Sequence, residues 1–505
     1  MAQKIIYLPL DERPCNYKFP LDIFSDTDIC VVAPPIAAMG QKKQPGDYNK
    51  IKEFLINECE SAYGAVISID TLLYGGIVPS RLHYLSESEL SARLDLLCEL
   101  KKRNPKLVIY AFQLIMRTPQ YSFSERVPEY YAVCGREIFL YGYYQNKAQL
   151  GIITAEEKKA LENINIKPEY LNDYLKRRKL NAVFNRKTLE LLETKIIDFL
   201  IIPQDDASEY GYPSIDQAEL RQIIREKHLT LKAYMYPGAD EVGCILMARM
   251  LNQVKNGKPR FFLKYPSPTA PEVIPCLEDR FLDVTVKYQV LAAGGIVVPA
   301  LCDCDLVMLV LIGAEKMIPN PNNTPSRDID VLSNLAECFE FGRWVDASGY
   351  PLIVADLLYL NGGSIDVLSY IKATDLLMRL AAYSGWNTSS NSLGTAIAQG
   401  IVYYYYGNRP SHLKFLIRRY LEDIGYDSFV RKKIWNELDN YGMSYFSVKE
   451  EQGLVACRVE EELNRFFEFH LPEIKKDYQI EGVRMPWKRM FEVDFTVTSK
   501  NENKL

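Results

Sequence analysis

The sequence predicts an α/β fold built on parallel sheets, and three observations predict it. Short apolar runs recur along the chain, at 4–10, 29–33, 64–69, 107–112, 198–202, 231–236, 260–264, 295–299, 306–312 and 352–355. Their apolarity is continuous rather than alternating, as in strands covered on both faces. Helix-like stretches separate them, and strand–helix alternation gives a parallel sheet. The expected layout is a parallel (β/α) barrel-like domain over 1–257 with a helical insertion at about 124–195. A second α/β unit follows over 258–400, then a mostly helical C-terminal region over 401–505.

Local signals mark the helices. Ser86-Glu87-Ser88-Glu89 opens one with a capping start, and Asn104-Pro105 stops it. Ser214 is placed to cap a helix running toward Lys227, and Asp240-Glu241 to open one ending at Asn256-Gly257. The basic run Lys176-Arg177-Arg178-Lys179 reads as a solvated helix face. The tail from 498 reads as frayed.

Composition narrows the chemistry. Hydrophobic residues make up 48% of the 505, enough for a sizeable core. A net charge of −5 offers no basic field for nucleic acid. The N-terminal apolar run is too short for a signal peptide and no stretch reaches membrane-span length, so a cytoplasmic chain without a membrane partner is expected. The cysteines number 11, odd and scattered, unlike a secreted disulfide framework. Only four histidines occur, none at metal-ligand spacing, which disfavours zinc sites and histidine-based catalysis. No dinucleotide or P-loop glycine signature is present. The reading calls for neither cofactor nor metal and leaves the oligomeric state open.

The residues just beyond each apolar run carry the chemistry. Asp11, Glu12, Arg13 and Asn16 come after the first; Asp70, Tyr74, Gly75-Gly76 and Arg81 after the third; Arg117 after the fourth. Asp205, Asp206 and Tyr210 come after the fifth, Asp240 and Glu241 after the sixth, and Asp356, Asn361 and Gly362-Gly363 after the tenth. Parallel strands all point one way, so these clusters are expected on one ligand-binding face. A lone Asp there could be a helix cap, and the paired glycines plain turns. The adjacent pair Asp205-Asp206 exceeds what a cap needs. One carboxyl can hold a proton while its neighbour stays ionised, the arrangement acid–base catalysis requires. Trp386 and Asn387 sit in a small polar stretch, 383–395, that reads as a tryptophan platform beside a helix N-terminus.

Several strings together resemble a widespread bacterial family catalogued as a domain of unknown function, number 4127. They are Leu8-Pro9-Leu10-Asp11-Glu12-Arg13-Pro14, Tyr74-Gly75-Gly76-Ile77-Val78-Pro79-Ser80-Arg81, Gln204-Asp205-Asp206-Ala207 and Gly385-Trp386-Asn387-Thr388. The resemblance implies a shared fold and site but no reaction. Locally, the Asp-Asp pair is similar to that of barrel N-acetylglucosaminidases, in which the first Asp orients the substrate's acetamide and the second is the general acid.

The functional expectation is a glycoside hydrolase acting on small intracellular sugars or amino-sugar glycosides. Asp206 is its acid/base and Asp205 its partner, with Asp240 or Glu241 as the alternative partner. Asp11, Glu12, Arg13, Asn16, Asp70, Tyr74, Arg81, Arg117, Tyr210, Asp356, Asn361, Trp386 and Asn387 are expected to bind substrate. The alternatives are a Mg²⁺- or Mn²⁺-dependent enzyme whose arginines grip a phosphate or carboxylate, and a non-catalytic sugar or metabolite sensor.

Overall fold

The structure is a computed structural model that describes residues 2–319 and 326–500. Ten strands form where the apolar runs lie. They are β1 (Gln3–Leu8), β2 (Ile29–Val32), β3 (Gly64–Ser68), β4 (Val108–Phe112), β5 (Phe199–Gln204), β6 (Ala233–Pro237), β7 (Arg260–Lys264), β8 (Ile296–Val297), β9 (Leu306–Leu311) and β10 (Leu352–Asp356). Three more, β11 (Ala382–Ser384), β12 (Tyr478–Arg484) and β13 (Asp494–Ser499), come from segments without such a run.

The chain divides into two compact units. One takes the chain up to residue 12, then 28–246 and 277–279; the other takes 13–27, 247–276 and the chain from 280 on. Residues 401–500, expected as a region of their own, therefore belong with the second unit. The tail expected to fray is strand as far as Ser499, and residues 501–505 lie outside the described residues.

The first unit holds a six-stranded parallel sheet in the order β2-β1-β3-β4-β5-β6. Among the described residues no ladder joins β2 to β6 into a barrel. The interior strands β3 and β5 are buried along their whole length, as their unbroken apolarity requires. Edge strand β2 is only partly covered. Each buried aliphatic side chain here contributes roughly 1.5–3 kcal/mol.

The second unit holds a five-stranded parallel sheet, β11-β10-β9-β7-β8. Counted from its own first strand, its order is 2-1-3-4-5, the same doubly wound order with which the first sheet begins. An antiparallel pair, β12 and β13, joins its core. Parallel strands thus end on a common face within each unit, where ligand sites form in such folds.

One of the expected helix caps forms and another does not. Ser86 makes a complete capping box with Glu89. Ser214, expected to cap, lies inside the helix Tyr212–Glu226, which starts instead at Gly211. The φ of +125° there suits glycine, and Pro213 fits the first turn.

Candidate active site

In the first unit the strand ends are tied together before any ligand arrives. Thr71 Oγ1 lies 2.6 and 2.8 Å from the Pro9 and Leu10 carbonyls, joining the ends of β3 and β1. The short helix Ile69–Tyr74 stops at Gly75, whose φ of +86° is left-handed. A Cβ there would lie 2.6 Å from the Gly46 nitrogen, so the position requires glycine. Asp70, buried, accepts the Leu114 N–H at 2.8 Å, and burial pushes its carboxyl up to about 7.

Beyond β5 the backbone turns sharply at Asp206, whose φ of +50° is left-handed and rare for a residue with a side chain. That turn overrides strand alternation and lets both carboxylates reach the same guanidiniums. Arg81 donates to Asp205 Oδ2 at 2.7 Å. Arg117 Nη1 lies 2.7 Å from Asp206 Oδ2 and 3.4 Å from Asp205 Oδ2. Two oxygens sharing one nitrogen in this way are at most about 6 Å apart. The guanidiniums are buried, with 4% and 3% of their side chains exposed, whereas the carboxylates keep 19% and 23%. Burial raises the Asp206 pKa and Asp205 adds to it, against Arg117. Burial works against the charge of Arg117, but Asp206 and Asp205 outweigh it and leave its pKa raised. Arg81 is lowered to about 9 by burial and by Arg117.

The helical insertion is real and holds this cluster in place. Its helices span Tyr131–Gln149, Ala155–Glu162 and Pro168–Glu193. The last presents a polar inner face spaced three or four residues apart, so its side chains fall on one stripe. Tyr174 O–H points to the Arg117 carbonyl at 3.3 Å, and Arg178 donates to the Met116 carbonyl at 2.5 Å. Asn181 donates to the Ser80 carbonyl at 2.8 Å and Asn185 to that of Leu114 at 3.2 Å. The loops carrying Arg81 and Arg117 are thus fixed through their backbones. This corrects the solvated reading of the basic run. Lys176 and Lys179 are exposed, but Arg177 and Arg178 are buried and paired with Asp173 at 2.9 Å and Asp216 at 2.6 Å.

The remaining expected residues of this unit follow β1, β3, β5 and β6. Glu12 accepts the Lys42 N–H at 2.8 Å, and Asp11 is buried after β1. Tyr74 is buried and stacks on His83 with centroids 4.5 Å apart. Tyr210 turns to the insertion, edge-on to Tyr143 at 5.6 Å with the Lys147 ammonium above it. Asp240 and Glu241 are buried after β6, where burial, then Asp240 and Glu278, push the Glu241 carboxyl well above its usual range.

The second unit's strand ends are sealed. Asp356 accepts the Ser364 N–H at 2.7 Å and the Tyr383 hydroxyl at 2.8 Å, and burial raises it to about 6. Asn361, with a left-handed φ of +63°, donates its N–H to the Asn387 carbonyl at 2.8 Å. Trp386 is no open platform. Only 5% exposed, it donates Nε1–H to Thr395 Oγ1 at 3.2 Å and meets Phe19 edge-on at 5.7 Å. Arg13 pairs with Glu492 at 3.2 Å above the Trp487 ring, and Asn16 is buried.

Sequence reasoning missed a row of charges there. Arg419, Asp423, Asp427 and Arg431 recur every fourth residue through a π-helical stretch, Tyr420–Val430, and pair at 2.9 and 2.8 Å. That spacing is visible in the sequence, though the wide helix is not. Burial raises Asp423 to about 7, although Arg419 and the Gly385 N–H at 2.7 Å oppose it. A cavity of about 20 Å³ beside Trp386, Asn387 and Asp427 has room for one water. Sequence reasoning also passed over Tyr121, whose hydroxyl accepts from Arg117 at 3.1 Å at the mouth of the first unit's cluster. Among the described residues no His, Cys, Asp and Glu group of three or more is arranged to hold a metal. No helix among them is long and apolar enough to cross a membrane.

Fold and site together define an α/β protein with doubly wound parallel sheets and a carboxylate–guanidinium cluster at the strand ends of its first unit. The chain belongs to the family described as "Protein of unknown function (DUF4127)", whose model matches residues 5–496. No curated protein matches it. Among solved structures it is similar to a beta-glucosidase from Exiguobacterium marinum, at 10% identity over 69% of this chain and 81% of that one. The TM-score of 0.15 is too low to carry an argument.

Proposed function

We propose that this chain is a glycoside hydrolase acting on small sugars or amino-sugar glycosides through Asp206 and Asp205. The supporting observation is the pair itself. Two partly open carboxylates share one buried guanidinium, with Asp206 Oδ2 2.7 Å and Asp205 Oδ2 3.4 Å from Arg117 Nη1. In this reading the second carboxylate is the nucleophile of a retaining mechanism. Asp206, its pKa raised by burial, gives its proton to the glycosidic oxygen as the bond to the anomeric carbon breaks. Asp205 attacks that carbon to form a glycosyl ester. Water then cleaves the ester while Asp206 recovers a proton from it. Arg81 and Arg117 fix the two carboxylates and occupy the places a divalent cation would take beside them, which weighs against the metal-dependent alternative.

The test is a panel of nitrophenyl glycosides and small oligosaccharides, assayed with and without EDTA. Turnover that survives EDTA and releases product with retained configuration is expected. A folded protein inert on the whole panel, an inverted product, or activity abolished by EDTA would overturn the reading. Ligand affinity unchanged in Asp206→Asn, with no turnover in either form, would favour a sensor.

A further inference from the structure

A third guanidinium stands at the mouth of the Asp205–Asp206 cluster, and the proposed hydrolysis gives it no task. Arg126 lies on the loop between β4 and the helical insertion, where Arg81 Nη1 donates to its carbonyl at 3.3 Å. Its side chain is 23% exposed, whereas those of Arg81 and Arg117 are buried. Arg126 Nη2 and Arg117 Nη2 both donate to Tyr121 Oη, at 3.4 and 3.1 Å. Two donors take up the lone pairs of that oxygen, so its own proton points elsewhere. Tyr121 is 42% exposed, which leaves its side chain within reach of a ligand.

The charges point to the kind of ligand. Arg126 is near enough to favour the ionised form of Asp206 and to oppose the charge of Arg81. The proposed hydrolysis begins with Asp206 protonated, so three guanidiniums then meet a single ionised carboxylate of the pair. Glu125 lies 3.8 Å from Arg126 but is matched by Lys42 at 2.8 Å. Burial pushes Asp70 up to about 7, so it supplies only part of a charge at neutral pH. The state that receives substrate is therefore positive at its mouth. Guanidiniums and a phenol O–H are donors, and the group that suits them best is a negatively charged acceptor.

We propose that the glycoside taken by this site is an acidic one, its carboxylate or phosphate held at the mouth by Arg126 and the Tyr121 hydroxyl. This rests on Asp206 and Asp205 being the reacting pair.

Matched nitrophenyl glycosides that differ only in the acidic group test it: glucuronide against glucoside, and 6-phosphoglucoside against glucoside, in both anomers. kcat/KM is expected to favour the acidic member by about 10–100-fold, the worth of hydrogen bonds to a charged group. Added salt should shrink that preference. Arg126→Gln and Tyr121→Phe, both at partly exposed positions, should reduce it as well, mainly through KM. A preference for the neutral member, or one that both variants leave intact, would overturn the proposal. Calorimetry with glucuronate, glucose 6-phosphate and inorganic phosphate separates its failure from that of the hydrolase reading. Where no glycoside turns over, binding of the two acidic sugars that Arg126→Gln weakens keeps the acidic-ligand site and removes hydrolysis. No saturable binding of either sugar in that case, or inorganic phosphate bound as tightly as glucose 6-phosphate, would sink it.

Discussion

The two units begin from the same strand order, and the open pair beyond β5 in the first contrasts with two buried carboxylates of the second, Asp356 at the end of β10 and Asp423 in the π-helical stretch. In the first, Asp205 and Asp206 keep 19% and 23% of their side chains in solvent while the arginines behind them are buried. In the second, Asp356 and Asp423 are 1% and 0% exposed; backbone N–H groups and Tyr383 bond one oxygen of each, and Arg419 pairs with Asp423. A carboxylate with an open edge can meet a ligand. One that is sealed must break its own network first, at the cost of an unpaired buried group. Acidity at a strand end therefore marks a candidate, and access separates chemistry from structure.

The sharpest way to break this comparison is to neutralise the open pair. Asp206→Asn keeps shape and removes the titrating group. Turnover on whichever glycoside the panel identifies should fall about 10²–10⁴-fold, the usual worth of a positioned acid or base. Thermal stability should barely move. A loss smaller than tenfold would locate the chemistry elsewhere.

Removing one arginine from each unit compares sealed and open directly. Arg419→Ala strands the fully buried Asp423 and should cost about 3–5 kcal/mol in denaturant unfolding. Arg117→Ala leaves carboxylates that water can reach, and Arg81 still serves Asp205. Its stability cost should be clearly the smaller, while activity suffers. Equal stability losses would erase the distinction between the units.

A pH series sharpens it further. Burial raises Asp356 to about 6 and Asp423 to about 7, both above the ordinary value near 3.8. Between those limits the folded state binds more protons than the unfolded one, so stability must fall as pH rises. Their contribution is fully present below about 4 and is lost as the pH climbs through 6 and 7. Asp70 in the first unit slopes the same way, so the wild-type curve alone cannot assign the effect. Asp423→Asn should flatten it in that window, and an unchanged slope would show that Asp423 is not its source.

Much of this was legible in the residues, and the rest was hidden for identifiable reasons. Ten strands announced themselves by continuous apolarity, because a strand covered on both faces can carry little else. β11 did not: its three residues, Ala382–Ser384, are too few to show a period. β12 interleaves charge and β13 alternates apolar residues with threonine, as a half-exposed antiparallel pair does. Strand order was invisible, since pairing is a long-range choice that no local run encodes, and so the barrel-like expectation arose. The Asp205–Asp206 pair, Arg81 and Arg117 were found because they lie just beyond strands. Their convergence rests on the left-handed turn at Asp206, which composition does not foretell. Trp386 misled because small polar neighbours suit a binding platform and a buried helix start equally well.

The smallest contrast lies between two helix caps, one in each unit. Ser86, exposed in the first, closes a reciprocal box: it accepts the Glu89 N–H at 3.3 Å, and Glu89 accepts the Ser86 N–H at 2.8 Å. Thr388 in the second accepts the Asn391 N–H at 3.4 Å, with no carboxylate in return. A cap of the first kind is worth about 0.5–2 kcal/mol, because alanine leaves N–H groups of the opening turn without their partner. Ser86→Ala should fall in that range and raise amide exchange within Glu87–Leu94. Thr388→Ala should cost less at its own long bond, since the helix Ser389–Tyr406 is held by burial along most of its length. The reverse ranking would mean that the second unit's helix start is under greater local tension than its sealed packing implies.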